Sequence, residues 1–258
     1  MGEKGDSREA EFWTKFQKAL RSSSLIRHLG LLRRTYLNDR FDRRAPLQAV
    51  PQDLLSHIYS VEVTLPPRRH LMQPGTQTIE GLFFLVSLAA AIKARNIFEI
   101  GTFTGVTTWT LGRNVPDAVV HTLDIAPDEA PRWQLAEDDA HRGSRENPLY
   151  ARLAGTGQVV QHWSDSATFD FAPFYDSIDL VYIDGAHSEP YVRSDTEHAL
   201  RMMSSRGAVV WDDYWRHSSG VVKVLHDRQH LGLFRVPGTR LVTHFTPMAE
   251  QEIRRADR

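Results

Sequence analysis

Three short stretches collect the residues able to do chemistry. Residues 98–105 read Phe-Glu-Ile-Gly-Thr-Phe-Thr-Gly, residues 183–187 read Ile-Asp-Gly-Ala-His, and residues 210–214 read Val-Trp-Asp-Asp-Tyr. The first offers glycines after an apolar strand, which permit a tight turn and a close ligand approach to the backbone. The other two put Asp184 at one strand end and the pair Asp212-Asp213 at the next. Neighbouring strands lie about 5 Å apart, so three carboxylates can converge. Convergence is costly unless a proton or a cation offsets the repulsion. Oxygen-only ligands favour Mg2+, with Mn2+ or Ca2+ also suited. His187 can act as a general base beside such a metal, as a ligand, or as a loop residue bonded to Asp195. The chemistry these residues suit is a metal-assisted group transfer onto a small molecule. The competing reading is ordinary capping, with ion pairs to Arg193 or Arg216.

The first loop departs from a dinucleotide fingerprint, which needs G-x-G-x-x-G. Phe103 stands at the second glycine and Val106 at the third, where their side chains would obstruct a pyrophosphate. The loop also has no Walker lysine. A ligand with an ammonium group and no phosphates suits it better, with Glu99 placed to receive that cation. Asp124 follows the next strand, where an acid can accept both hydroxyls of a ribose. Ser164-Asp165-Ser166 closes the third strand, near where an adenine would lie. A helix N-cap is the plainer reading of either acid.

The elements that position these residues begin at Asn96, where the rhythm becomes strand–helix–strand. Short apolar strands are predicted at Ile97–Ile100, Val119–Leu123, Gln158–His162, Leu180–Ile183 and Ala208–Trp211. Helices are predicted at Thr104–Arg113, Arg132–Arg142 and Pro190–Met203. This alternation calls for an α/β fold, a parallel sheet with helices on both faces. Leu231–Val236 and Thr239–Phe245 flank Pro237-Gly238 and predict a closing antiparallel hairpin. Upstream, Thr76–Ala94 reads as a mostly apolar helix. Residues 37–75 hold five prolines and read as a broken connector, with a short helix at Gln52–Tyr59. Residues 7–36 carry Phe12, Phe16, Leu20, Leu25, Ile26, Leu29 and Leu32 at helical spacing. The predicted division is a helical and loop-rich extension over 1–74, serving as lid or oligomer contact, and a catalytic domain over 75–258. The loops at 60–75 and 142–156 are expected to cover the site.

Bulk properties exclude several classes. The chain has 258 residues and a net charge of −1, so nothing global points to nucleic acid or a membrane surface. Residues 1–45 hold 11 Lys/Arg against 6 Asp/Glu, a basic arm suited to solvated helix faces or a subunit contact. There is no cysteine, hence no disulfide and no thiolate chemistry. The longest apolar stretch, Gly81–Ile92, is too short to span a bilayer, and the N-terminus is unlike a secretory signal. A cytoplasmic protein that forms a homo-oligomer is the expectation.

Over roughly residues 75–246 the chain resembles the class I methyltransferases that use S-adenosylmethionine (SAM). Glu99-x-Gly101-x-x-x-Gly105 is similar to that family's SAM loop, and Asp124 to its ribose-binding acid. The hairpin around Pro237 is similar to the antiparallel pair that ends the family's Rossmann-like, seven-stranded, mostly parallel sheet. The segment from Thr76 to Glu80-Gly81 resembles the one that precedes the loop in caffeoyl-CoA-type O-methyltransferases. Among subgroups the metal-dependent macrocin and mycinamicin type is most similar, with its Asp-Gly-x-His motif and acidic pair. Catechol-type enzymes carry Asp-Asn where this chain has Asp212-Asp213. The resemblance implies SAM contacts from Thr76, Glu99, Gly101, Thr102, Phe103, Gly105, Asp124, Asp165 and Ser166. It implies Mg2+ (or Mn2+) on Asp184, Asp212 and Asp213, and His187 as base. The implied reaction is O-methylation of a small hydroxylated acceptor, a natural-product or sugar-containing intermediate. Three other readings are a metal-independent methyltransferase, a non-catalytic SAM-binding subunit, and a hydroxylase on the same fold. The last would need two histidines and a carboxylate for iron, and His187 is the only histidine in a motif.

Overall fold

The computed structural model describes residues 47–136, 139, 149–152, 158–215 and 218–255. Residues 45–258 form one compact unit. The helices predicted over 7–36 lie outside the described residues. So does most of the loop 142–156. The last part of the predicted extension, 47–74, contributes a strand and two helices to this same unit.

Eight strands make one sheet: β1 Gln48–Ala49, β2 Asn96–Ile100, β3 Val119–Asp124, β4 Val159–Trp163, β5 Ile178–Ile183, β6 Met203–Trp211, β7 Phe234–Arg235 and β8 Val242–Phe245. Their spatial order is β1-β7-β8-β6-β5-β2-β3-β4. From β4 to β6 every pairing is parallel, while β8 runs antiparallel between β6 and β7. This is the predicted parallel sheet with its closing hairpin. The eighth strand, β1, comes from the proline-rich connector. It pairs with β7, and Arg235 fixes it by donating from Nε to the Leu47 carbonyl at 2.9 Å. Two residues of alternation carry no readable period, so this strand is not legible in the sequence.

Among the described residues seven α-helices surround the sheet: α1 Gln52–Ile58, α2 Arg68–Leu71, α3 Ile79–Ala91, α4 Val106–Asn114, α5 Glu189–Met202, α6 Ser219–His226 and α7 Pro247–Ile253. The strand residues alternate faces as the pleat demands. Ile97, Val120, Leu180, Tyr182, Ala208 and Val210 share one core with α1, α3, α4 and α7. The other face carries Trp211, whose indole donates to Thr196 of α5 at 2.9 Å. Helices therefore cover both faces. Helix α3 is buried on nearly every side, as its all-apolar composition required. It starts at Ile79 rather than Thr76 because the Thr78 hydroxyl accepts from the Gly81 amide and caps it.

The helix predicted at Arg132–Arg142 is a correction. Residues 132–136 and 139 are not helical. Their amides go to side-chain acceptors instead: Arg132 donates to Asp165 Oδ2 at 2.6 Å and Ala136 to Asp139 Oδ2 at 2.7 Å. Side-chain acceptors, one from the loop after β4 and one three residues along the same segment, outcompete the local helical carbonyls here.

Candidate active site

The strand ladder continues one residue past the carboxyl ends. The amides of Gly101, Ser164, Asp184 and Asp212 donate to Leu123, Asp124, Ile100 and Ile183 at 2.8, 3.0, 2.8 and 2.9 Å. The predicted site residues are thereby ranked along one edge of the sheet. Between them lies a cavity of about 290 Å3. It is lined by Gly101, Phe103 and Asp124 on one side and by Asp184, His187 and Asp213 on the other. Asp165 and Ser166 also line it.

Gly101 has φ +98° and a Cβ there would stand 2.0 Å from the Asp184 carbonyl oxygen. Glycine is thus required, and the first loop is locked onto the second. Gly105 has φ +73° and caps the start of α4, with the Tyr150 ring where a Cβ would go. Phe103 also sits in the left-handed region, at φ +48°. Its amide and that of Ile125 donate to the two Asp124 oxygens, both at 2.9 Å. Burial pushes the Asp124 carboxyl up, and these backbone amides partly offset it. Asp165 accepts from the Tyr191 hydroxyl at 2.7 Å and from the Ala167 amide at 2.9 Å.

Four of the predicted ligand contacts, Thr76, Glu99, Thr102 and Gly105, do not line the cavity. Glu99 is 1% exposed. Its carboxylate points into the sheet, accepting from Thr108 and from Thr122 at 2.6 Å. Burial raises its pKa to about 8 against the pull of those hydroxyls. Glu99 does not line the cavity. Thr102 is buried, with its hydroxyl 2.7 Å from that of Thr122. Thr76 hydrogen-bonds to His70 at 3.4 Å, and its neighbour Gly75 reaches the cavity.

The acidic end is a network. His187 Nε2 lies 2.7 Å from Asp213 and Nδ1 lies 2.8 Å from Asp139. Burial alone would lower the His187 pKa, but the two carboxylates overcome it and push it up to about 11. Arg240 reaches Asp213 at 2.6 Å and Asp212 at 3.4 Å. Asp212 also accepts from Gln77 at 2.7 Å, and Tyr182 donates to Asp184 at 2.9 Å. One ligand atom each from Asp184, His187 and Asp213 falls within 4.8 Å of the others, a spacing that suits a metal ion. Asp212 stands beside that group, with its Oδ1 buried and lacking a hydrogen-bond partner. Burial, then the neighbouring acids, drives the Asp184 carboxyl far upward, and burial raises Asp212 as well. Asp213 adopts φ +56°, a strained conformation typical of functional positions.

Asp139, Arg240, Gln77, Tyr182 and Tyr191 complete the site, and sequence reasoning missed all five. Asp139 was hidden inside a falsely predicted helix. Arg240 follows the Pro237-Gly238 turn that was read correctly, and only the pairing of β8 with β6 carries it to the acids.

Residues 98–214 match the family model of a methyltransferase domain. An O-methyltransferase of Aspergillus hancockii, hkm8, is 29% identical over 134 residues, covering 50% of this chain and 47% of that protein. The uncharacterized protein y4gI of Sinorhizobium fredii is 26% identical over 162 residues, 61% of this chain and 17% of its own length. The chain thus spans less than half the length of these two curated relatives. The SAH-bound structure of the Podospora anserina methyltransferase PaMTH1 shares the fold, at a TM-score of 0.50 and 12% identity over 78% of this chain and 90% of that one. The matched span begins within β2 and ends just past β6, so it contains every predicted site residue except Thr76.

Proposed function

We propose that the chain is a SAM-dependent O-methyltransferase acting on a hydroxyl of a small molecule. One observation carries the reading: the glycine loop with Asp124 and the acid–histidine network with Asp184, His187 and Asp213 face a single cavity. A cofactor bound along the first and an acceptor held at the second would meet inside it. Asp124 would take the ribose hydroxyls, and Asp165 with Ser166 the adenine end. In the transfer, the acceptor oxygen forms a bond to the methyl carbon as the carbon–sulfur bond breaks. The bonding electrons return to sulfur, and the hydroxyl proton leaves for a base. Fixing two reactants in one cavity is worth roughly 7–11 kcal/mol of the barrier.

His187 is the base in this reading. With both ring nitrogens facing carboxylates it is held as imidazolium, so it must first become neutral. Drawing Asp213 away from the ring would remove one of the two contacts that favour the charged form. Asp184, Asp212 and Asp213 would hold Mg2+ or Mn2+, which supplies Lewis-acid activation of the hydroxyl when bound. The donor set fits such an ion: all oxygens, one of them buried and unpartnered, and in Asp184 on an acid that burial and then neighbouring charge make reluctant to ionise. The similarity to macrocin-type motifs supports a natural-product or sugar-containing acceptor.

Arg240 favours a second reading, a metal-independent methyltransferase, because it already neutralises Asp212 and Asp213. Calorimetric titration of S-adenosylhomocysteine and of Mg2+, separately and together, decides. Saturable binding of both is expected. Nucleoside binding without metal binding selects the second reading, and absence of nucleoside binding refutes methyl transfer altogether.

A further inference from the structure

A second cavity of about 300 Å3 lies next to the first, and His187 lines both. Its walls are the N-terminal turns of α5 and α6, which are pressed together. A Cβ on Gly220 would stand 2.2 Å from the His187 carbonyl oxygen and 2.8 Å from the Glu189 amide nitrogen. Each helix N-terminus carries roughly half a positive charge, and setting two side by side costs energy that an anion between them would relieve.

The cap residues are unusual. Ser188 and Ser218 are the N-caps of α5 and α6, and neither side chain makes a capping hydrogen bond. Both hydroxyl oxygens are buried and lack a hydrogen-bond partner, and both serines line the cavity. Ser218 is only 2% exposed. A buried hydroxyl without a partner is unfavourable by itself, and an N-cap serine has an obvious partner in its own helix. Two that both decline it, at one cavity, are poised for an acceptor that comes from outside the chain. Lys223 stands at the same wall, 2.6 Å from Glu189, whose carboxylate also meets Arg193 at 2.8 Å. Arg193 in turn reaches Asp227 at 3.0 Å. The carboxylate of Glu189 is thus already matched by two cations.

We infer that this cavity binds an oxyanion group, a carboxylate or a phosphate, carried by the methyl acceptor. The inference deepens the methyltransferase reading and rests on it: the acceptor would be a hydroxylated acid or phosphate ester. Its anion sits between α5 and α6 while its hydroxyl reaches past His187 into the first cavity. Ser188 and Ser218 are positioning residues here, since they touch the anion and not the reacting oxygen.

The test is calorimetric titration of the full chain with inorganic phosphate and, separately, with acetate. It is repeated on Ser218→Ala and Ser188→Ala, with S-adenosylhomocysteine titrated into each sample. Saturable binding of either anion is expected, weakened about tenfold in each serine variant because one charge-assisted hydrogen bond is lost. Nucleoside affinity should not move, and melting temperature should not fall, since a buried unpartnered hydroxyl is removed. Preference for phosphate over acetate, or the reverse, names the anion. Absence of saturable binding of both anions, or equal anion affinity in wild type and both variants, overturns the inference. The nucleoside titration reports separately: its failure alone would remove the methyltransferase reading and leave the anion result standing.

Discussion

Arg240 offers the sharpest test of how this site manages its charge. Four carboxylates, Asp139, Asp184, Asp212 and Asp213, face two cations, His187 and Arg240. Arg240→Met keeps most of the aliphatic stem and deletes the cation. Removing one partner of a buried ion pair costs about 3–5 kcal/mol. The arginine side chain is 22% exposed, against 2% and 11% for Asp212 and Asp213. Partial screening of the arginine places the cost near the low end, about 3 kcal/mol. For a unit of this size each kcal/mol shifts the melting temperature by about 2–4 °C, so a drop of about 6–12 °C is expected in chelator. Mg2+ at a hundredfold excess over its dissociation constant should return about 2.7 kcal/mol, nearly all of the loss. The wild type should gain less from the same ion, because Arg240 already occupies part of the negative field. Differential scanning fluorimetry reads both effects. A variant that melts within about 2 °C of wild type in chelator would refute the charge argument. So would Mg2+ protection of the wild type that is absent in the variant.

Two further outcomes follow from the same geometry. Glu99 holds its proton up to about pH 8 in the folded state, above its unfolded value. Its contribution to stability is present in acid and lost as pH rises through 8, so Glu99→Gln should flatten the fall in melting temperature between about pH 5 and pH 9. An unchanged pH profile would place the carboxylate in water. Gly101→Ala must accommodate φ +98° and an atom 2.0 Å from the Asp184 carbonyl. It should cost at least about 2 kcal/mol and weaken nucleoside and metal binding together, since one backbone contact couples the two loops. Wild-type melting with normal binding of both ligands would show the loops to be independent.

Much of this protein is determined by the sequence alone. Strand–helix alternation from Asn96, with runs such as Ile-Asp-Leu-Val-Tyr-Ile at 178–183, leaves a parallel sheet as the economical way to bury such strands. That topology forces residues at strand ends to one edge, so Gly101, Asp124, Asp184 and Asp212-Asp213 were recognisable as neighbours before any coordinate was known. The hairpin was legible because Pro237-Gly238 separates two apolar runs. What only the tertiary structure decided is how those neighbours are wired. Which carboxylates face the cavity depends on side-chain direction, and Glu99 turned into the sheet because Thr108 and Thr122 offered it hydroxyls there. Asp139 and Arg240 approach from segments far away along the chain, and their partners are chosen by packing that no local period encodes. The two uncapped serines look like ordinary helix starts in the sequence. Only the close approach of α5 and α6 sets their hydroxyls at one cavity, because juxtaposition of two helix ends is a property of the assembled layers and not of either helix.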